Sequence, residues 1–437
     1  MSRVRHQKRG VENGEGTHEE DGGGKAAEHR FIHYRQGANH ILVRRNQPQA
    51  AQYRGPQQIE RDCGEGVHQH GTPSIPMQHV QPTPRGGGIA IFLGVLIPSV
   101  AAVVACLICP QGEFAAIDDI IQEVQGASHR LTQLAAIGIG AIVLFFTGLA
   151  DDRWNLSWKF RLSLQLSVAV SVVLAGVRAT VFVSQPWFGF GATVLWILVL
   201  TNAMNFLDNM DALSAGIGLI AAVLFAAILV VMVKSPTLSV AFPLVLLSGA
   251  LFGFLIWNRP PASIFMGDCG SNLIGFLLAT LTVTGTFYES TGSRHVMLAP
   301  ICVMAVPLYD FCTVIFIRLS QGRSPFHGDK SHFSHRLVEL GLRPAHAVLT
   351  IHLTTAMTGL GGLLLYKVPD WTGAGLVLAL IFCVLAVIAI LETVGRRSVN
   401  EMQETLAEAR GQQSRTGASL HIESESTGLP CGITKPG

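Results

Sequence analysis

The sequence predicts an all-α polytopic membrane protein of about ten transmembrane helices, and three observations lead there. Only 14% of the 437 residues are charged while 49% are hydrophobic, against about 25% charged in an ordinary soluble domain. The mean hydropathy is +0.41, and the apolar residues fall in blocks long enough to cross a bilayer, which takes roughly 17–25 residues of helix. Lysine and arginine are divided unevenly between the two sets of connections that join those blocks.

The blocks run at about 87–109, 131–150, 159–177, 192–207, 213–233, 238–257, 271–288, 296–319, 344–366 and 371–392. The fourth is short and carries Asn202 and Asn205. Polar side chains inside a span face a cavity or a partner, because lipid offers them nothing. The seventh holds several Gly and Thr and has the weakest apolar signal. One set of connections contains Arg153, Lys159, Arg161, Arg259, Arg318, Arg323, Lys330, Arg336, Arg343, Arg396 and Arg397; the other contains Arg130, Arg178, Lys234, Arg294 and Lys367. The first set is expected in the cytoplasm, and an even number of spans then puts both termini there.

The flanks differ. Residues 1–80 are polar, rich in Gly, His, Gln, Arg and Glu, and have no apolar block long enough for a signal peptide. They read as a disordered extension. The tail, 396–437, reads the same way after a short helix over Glu401–Arg410, leaving 81–395 as the membrane domain. A net charge of +2, with no basic stripe interleaved with aromatics, excludes a nucleic-acid partner. The eight cysteines form no framework. Cys106 and Cys109 make a CxxC inside an apolar run, where packing against lipid or helices is the expected role.

The chemistry-bearing motifs all fall on the arginine-rich side. At the end of the second block, Asp151 and Asp152 stand adjacent. Neighbouring carboxylates at a membrane surface repel, and a metal or a cationic group compensates them. Arg153, Lys159 and Arg161 follow at once and suit phosphates; a solvated helix end is the bland alternative. In TNAMNFLDNMDALSAG, a continuous helix would put Asn202, Asn205, Asp208 and Asp211 on one stripe, with Asn209 off it. Such a row of oxygens suits Mg²⁺ and a nucleotide, or else interhelical hydrogen bonding. In NRPPASIFMGDCGSN, Asp268 sits in a glycine-flanked turn and Phe265 is placed to stack on a base. GRSPFHGDKSHFSHRL crowds Arg323, Asp329, Lys330, His332, His335 and Arg336 into one loop. Its lysine and arginines oppose a zinc ion and favour anion recognition. PTPRGGG at 82–88 reads as a turn into the first block.

In this order, ADD, NAMNFLDNMD, IFMGDCGS and GRSPFHGDKSHFSHR resemble the motifs of the polyprenyl-phosphate N-acetylhexosamine-1-phosphate transferase superfamily, of the glycosyltransferase 4 type, over roughly residues 80–395. The loop GRSPF…H..H is similar to that of bacterial GlcNAc-1-phosphate transferases that start O-antigen or teichoic-acid synthesis. The transferase that handles UDP-MurNAc-pentapeptide has three consecutive histidines there and is the less similar alternative. The resemblance implies transfer of a sugar-1-phosphate, GlcNAc-1-phosphate foremost, from a UDP-sugar to undecaprenyl phosphate at the cytoplasmic face of the inner membrane. It implies Mg²⁺, with Mn²⁺ as a substitute, on Asn205 and Asp268. It places Asp151, Asp152 and Arg161 at the reacting phosphates. Asn202, Asp208, Asp211, Asn258 and Phe265 would then line the nucleotide site, and Arg323, His332, His335 and Arg336 would touch pyrophosphate and sugar. A homodimer is compatible with it.

Three departures stand out. The family has a span before PTPRGGG and none is visible here; the family usually has Lys at the position of Arg161; and it usually has Gly at those of Asn209 and Ala212. These bear on substrate preference more than on reaction class. A phosphate monoester acceptor has its second pKa near ~6 and is already a nucleophilic anion at neutral pH. The demand is therefore charge screening between two anions rather than a strong base. A covalent aspartyl-phosphate on Asp151 or Asp152 is the mechanistic rival. A transporter or flippase is the rival class, but transporters place charge near the midplane on broken helices.

Overall fold

Each apolar block becomes a helix because only an internally hydrogen-bonded backbone is tolerated in lipid. The computed structural model describes residues 83–108, 130–179, 185–233, 238–286, 294–324 and 331–393, with Thr405. The expectations for residues 1–80, for Cys109 and, Thr405 apart, for Glu401–Arg410 lie outside these.

In chain order the helices are α1 (Gly87–Ile108), α2 (Arg130–Trp154), α3 (Trp158–Leu174) and α4 (Pro186–Phe206). Then come α5 (Leu213–Ala227), prolonged by a π-helical turn over Ile228–Met232, α6 (Leu238–Asn258) and α7 (Asp268–Thr286). A 3₁₀ turn, Arg294–Leu298, leads into the short α8 (Ala299–Val303) and α9 (Ala305–Ser320). The last are α10 (Phe333–Glu339), α11 (Pro344–Leu364) and α12 (Trp371–Thr393). No strand occurs among the described residues; an isolated bridge pairs Arg85 with Phe265.

Seven helices are long and apolar enough to cross a membrane, or eight if Arg294–Val303 and Ala305–Ser320, bent by 66°, form one broken span. The expected count of ten is not reached by this criterion, which α3 and α7, in the third and seventh apolar blocks, do not meet. α3 is short, at 17 residues. α7 carries Ser271, Asn272, Thr280, Thr282 and Thr284, all buried. It packs against α1, α2, α4, α5, α6 and α8, so protein rather than lipid surrounds it. Thr280 donates to the Phe276 carbonyl and Thr284 to that of Thr280, both at 2.8 Å, which satisfies the hydroxyls within the helix. The peripheral α12 is the converse, with Leu376 and Phe382 exposed.

The sequence expectation for the polar stripe needs correction. α4 ends at Phe206, so Asn202 and Asn205 lie on a helix but Asp208 and Asp211 lie in the irregular segment before α5. PTPRGGG is also more than a turn. Gly87 N–H donates to Phe265 O and Gly88 N–H to Met266 O, each at 2.9 Å, and Phe265 N–H returns to Pro84 O at 3.0 Å. The segment before α1 thereby clasps the loop that carries Asp268.

α4 and α7 pack backbone against backbone at Gly275. A Cβ there would lie 2.7 Å from the Leu200 carbonyl oxygen and 2.7 Å from Thr201 Cα, both backbone atoms that cannot swing aside. Gly275→Ala is expected to lower the thermal midpoint of the detergent-purified protein, since overpacking costs about 1–3 kcal/mol. Gly249→Ala on α6, with no neighbour within 4 Å, is expected to leave the midpoint unchanged or raised. Equal midpoints for the two variants contradict this packing.

Candidate active site

The site is built where helix ends meet. Asp151 lies in the last turn of α2 and is buried. Its Oδ1 accepts the Leu156 N–H at 2.7 Å, which closes the turn between α2 and α3. Ser157 then caps α3 by accepting the Phe160 N–H. One turn into α3, Arg161 reaches back, and its Nη1 donates both to Asp151 Oδ2 and, at 3.0 Å, to Asp268 Oδ2. One guanidinium nitrogen thus bridges two carboxylates from residues 117 positions apart.

Asp152 does something different. Its Oδ1 accepts the Asp268 N–H at 3.0 Å and its Oδ2 the Cys269 N–H at 3.1 Å. It is the N-terminal cap of α7, supplied from another helix, and its charge sits where the helix dipole favours an anion. Gly267 makes room: its φ is +76°, and a Cβ there would stand 2.7 Å from the Asp152 carboxylate. The adjacent pair divides into Asp151, facing Arg161 beside Asp268, and Asp152, holding the N-terminus of α7 on which Asp268 sits.

Asn205 Nδ2 donates to Asp268 Oδ1 at 3.1 Å and to Ser271 Oγ at 3.0 Å. Beneath it, Asn202 donates to Gln165 Oε1 at 2.8 Å and Gln165 donates to Asn272 Oδ1 at 3.3 Å. This amide chain ties α3, α4 and α7 together under the carboxylates; Gln165 and Asn272 lie outside the sequence-predicted set. Asp208 accepts the Gly267 N–H. Burial pushes its carboxyl up to about 7, with Asp268 and Asp152 adding repulsion and Arg85 opposing them. Negative charge here exceeds what the side chains alone neutralise comfortably. Among the described residues no three His, Cys, Asp or Glu side chains form a ready-made metal cage.

Other predicted residues are engaged in holding loops. Asp211 Oδ2 accepts the Ala262 N–H at 2.9 Å. Asn258 Oδ1 accepts the Ala212 N–H at 2.8 Å while its Nδ2 donates to Ile264 O at 2.8 Å. Ala212 has φ +64°, the left-handed region that explains why glycine suits this position. Phe265 is half-buried and paired through its backbone to the PTPRGGG segment.

The histidine loop delivers α10. His332 is buried, and its Nδ1 lies 3.0 Å from Asp310 Oδ2 on α9. Its ring stands edge-on to Phe206 at 5.8 Å, next to Asn205 in the chain, and 6.5 Å from His335, which is half-buried. Ser334 donates to Asn209 Oδ1 at 2.7 Å, fastening α10 to the Asp208 segment. Arg336 turns inward instead: Nη2 donates to Thr313 at 3.1 Å and pairs with Glu392 at 3.3 Å, in a buried setting. Arg323 is exposed beyond the end of α9. Sequence reasoning missed Asp310 and Arg318, both fully buried on α9. A carboxylate and a guanidinium inside an apolar block were the available signal.

If Asp152 caps α7, Asp152→Ala should cost about 0.5–2 kcal/mol of stability and lower the thermal midpoint. Asp152→Asn keeps an accepting oxygen and should recover most of it. A wild-type midpoint for Asp152→Ala contradicts the capping role.

The sequence profile of glycosyl transferase family 4 matches residues 134–286, which hold Asp151, Arg161, Asn205 and Asp268. The chain is 32% identical over 318 residues to the probable undecaprenyl-phosphate N-acetylglucosaminyl 1-phosphate transferase of Bacillus subtilis, covering 71% of this chain and 80% of that one. It is 35% identical over 308 residues to the decaprenyl-phosphate N-acetylglucosaminephosphotransferase of Mycolicibacterium smegmatis, covering 65% and 72%. It is 26% identical over 318 residues to the undecaprenyl-phosphate alpha-N-acetylglucosaminyl 1-phosphate transferase of Escherichia coli, covering 68% and 78%. With Asp151, Arg161, Asn205 and Asp268 assembled at one site and similarity running through the helices that carry them, the chain belongs to glycosyl transferase family 4, the polyprenyl-phosphate N-acetylhexosamine-1-phosphate transferases.

Proposed function

We propose that this protein transfers GlcNAc-1-phosphate from UDP-GlcNAc to undecaprenyl phosphate, releasing UMP, at the cytoplasmic face of the cell membrane. The observation that carries the reading is the pair of carboxylates, Asp151 and Asp268, turned onto one Arg161 nitrogen, with Asn205 alongside. The relatives named for GlcNAc-1-phosphate transfer to a polyprenyl phosphate support the choice of sugar and acceptor class.

A divalent cation fits these residues. The Arg161 nitrogen is a positive charge bridging two carboxylates, and the surrounding donors are oxygens, which suit Mg²⁺ or Mn²⁺. Asp268 and Asn205 are its proposed holders, with Asp151 beside them. When bound, the ion screens the donor pyrophosphate and stabilises charge on the leaving UMP. Arg161 is placed to hold a phosphate oxygen once its carboxylates are otherwise compensated. Asp152 keeps Asp268 in position, and the clasped loop 258–266 shapes the nucleotide side. His332 and His335 are proposed to contact the sugar-phosphate. The polyprenyl tail stays in the bilayer, so the site must be open both to lipid and to cytosolic donor.

Purified protein supplied with UDP-GlcNAc, undecaprenyl phosphate and Mg²⁺ is expected to release UMP and form a lipid-linked sugar phosphate, and a chelator is expected to stop it. Asp268→Asn keeps the shape and removes the charge, and should cut the rate at least ~100-fold, as loss of one group aimed at developing charge does. Inside-out vesicles should accept external UDP-GlcNAc, whereas sealed right-side-out vesicles should not. Activity of Asp268→Asn near wild type removes this residue from the centre, and no UMP release from the wild type defeats the reading.

A further inference from the structure

α10 is seven residues long, too short to hold a geometry by its own hydrogen bonds. Its placement comes from α9, and the contact falls on one side chain. Asp310 is fully buried. Its Oδ1 accepts the N–H of Phe333, the first residue of α10, and its Oδ2 meets Nδ1 of His332, the residue that precedes the helix, at 3.0 Å. A carboxylate has only acceptors, so Nδ1 must carry the hydrogen and Nε2 is left as the atom with chemistry to offer. Phe206 packs against the edge of the same ring and carries the buried Arg318 guanidinium on its own face at 5.2 Å. Two contacts thus fix the imidazole: Asp310 sets its tautomer and Phe206 its tilt. The second contact belongs to the residue that follows Asn205, which ties the ring's position to the carboxylate centre.

We propose that Asp310 is a positioning residue of the transfer reaction, fixing His332 with Nδ1 inward so that Nε2 is presented to the sugar-phosphate of the bound donor. The inference rests on the transferase reading above and adds to it a residue outside the loop motifs. A buried carboxylate whose two oxygens are divided between a helix N-terminus and an imidazole is costly to keep unless the ring's orientation matters. Capping alone is done as well by an uncharged serine or asparagine.

Asp310→Asn separates the two tasks. Its amide oxygen still accepts the Phe333 N–H, while its NH₂ can only donate to His332 Nδ1 and forces the opposite tautomer. In UMP-release kinetics with UDP-GlcNAc and undecaprenyl phosphate, full-length Asp310→Asn is expected to lose about 10–100-fold in kcat/KM, the range found when the partner that orients a metal-bound imidazole is removed. In a His332→Ala background the same change is expected to add less than about threefold, because Asp310 acts through the ring. Thermal midpoints within a few degrees of wild type are expected throughout. Equal losses in both backgrounds, wild-type kinetics for Asp310→Asn, or failure of that variant to fold would each show a merely structural role and overturn the proposal. An inactive wild type instead defeats the transferase reading on which it rests.

Discussion

The arrangement depends on one electrostatic constraint: Asp151 and Asp268, from distant parts of the chain, must share a partly buried space without repelling each other apart. Arg161 satisfies it by donating from one nitrogen to both. That requirement fixes the end of α2, the start of α3 and the start of α7 relative to one another. Removing one partner from such a group leaves uncompensated charge in a poorly solvated place, which is more damaging than never having built the group. Asp152 extends the constraint by spending its charge on the α7 N-terminus. The amide chain Asn202–Gln165–Asn272 supports the same three helices from below.

Much of this was legible because bilayers make sequence and structure agree. Helical blocks, their order, and the gathering of motif residues at one end all follow from hydropathy and arginine placement. α7 was the weak signal for a physical reason: hydropathy reports exposure to lipid, and a helix enclosed by other helices can carry threonine and glycine. The polar stripe over 202–211 failed because i, i+3 spacing presumes a continuous helix, and α4 stops at Phe206.

Within the site, residue type was readable and role was not. Asp151 and Asp152 are adjacent and chemically identical, yet one faces a guanidinium and the other caps a helix. The difference depends on where α7 starts, more than a hundred residues away. Asp211 and Asn258 look like nucleotide ligands in sequence, and their oxygens hold backbone N–H groups of the 258–266 loop and of Ala212. Arg336 shares a motif with His332 but points to Glu392 at the end of α12. Asp310 lies inside an apolar block and outside any loop motif, so its charge within a span is the one signal it gives.

We propose that the two anions react directly, because neither of the adjacent aspartates keeps an oxygen free to act as a nucleophile. Asp151 is buried, with one oxygen on a backbone N–H and the other on Arg161. Asp152 is committed to α7. The direct test is exchange of labelled UMP into UDP-GlcNAc by delipidated enzyme with no polyprenyl phosphate present. No exchange is expected until acceptor is added. Robust lipid-independent exchange that disappears in Asp151→Asn or Asp152→Asn would contradict direct reaction and make that aspartate the nucleophile.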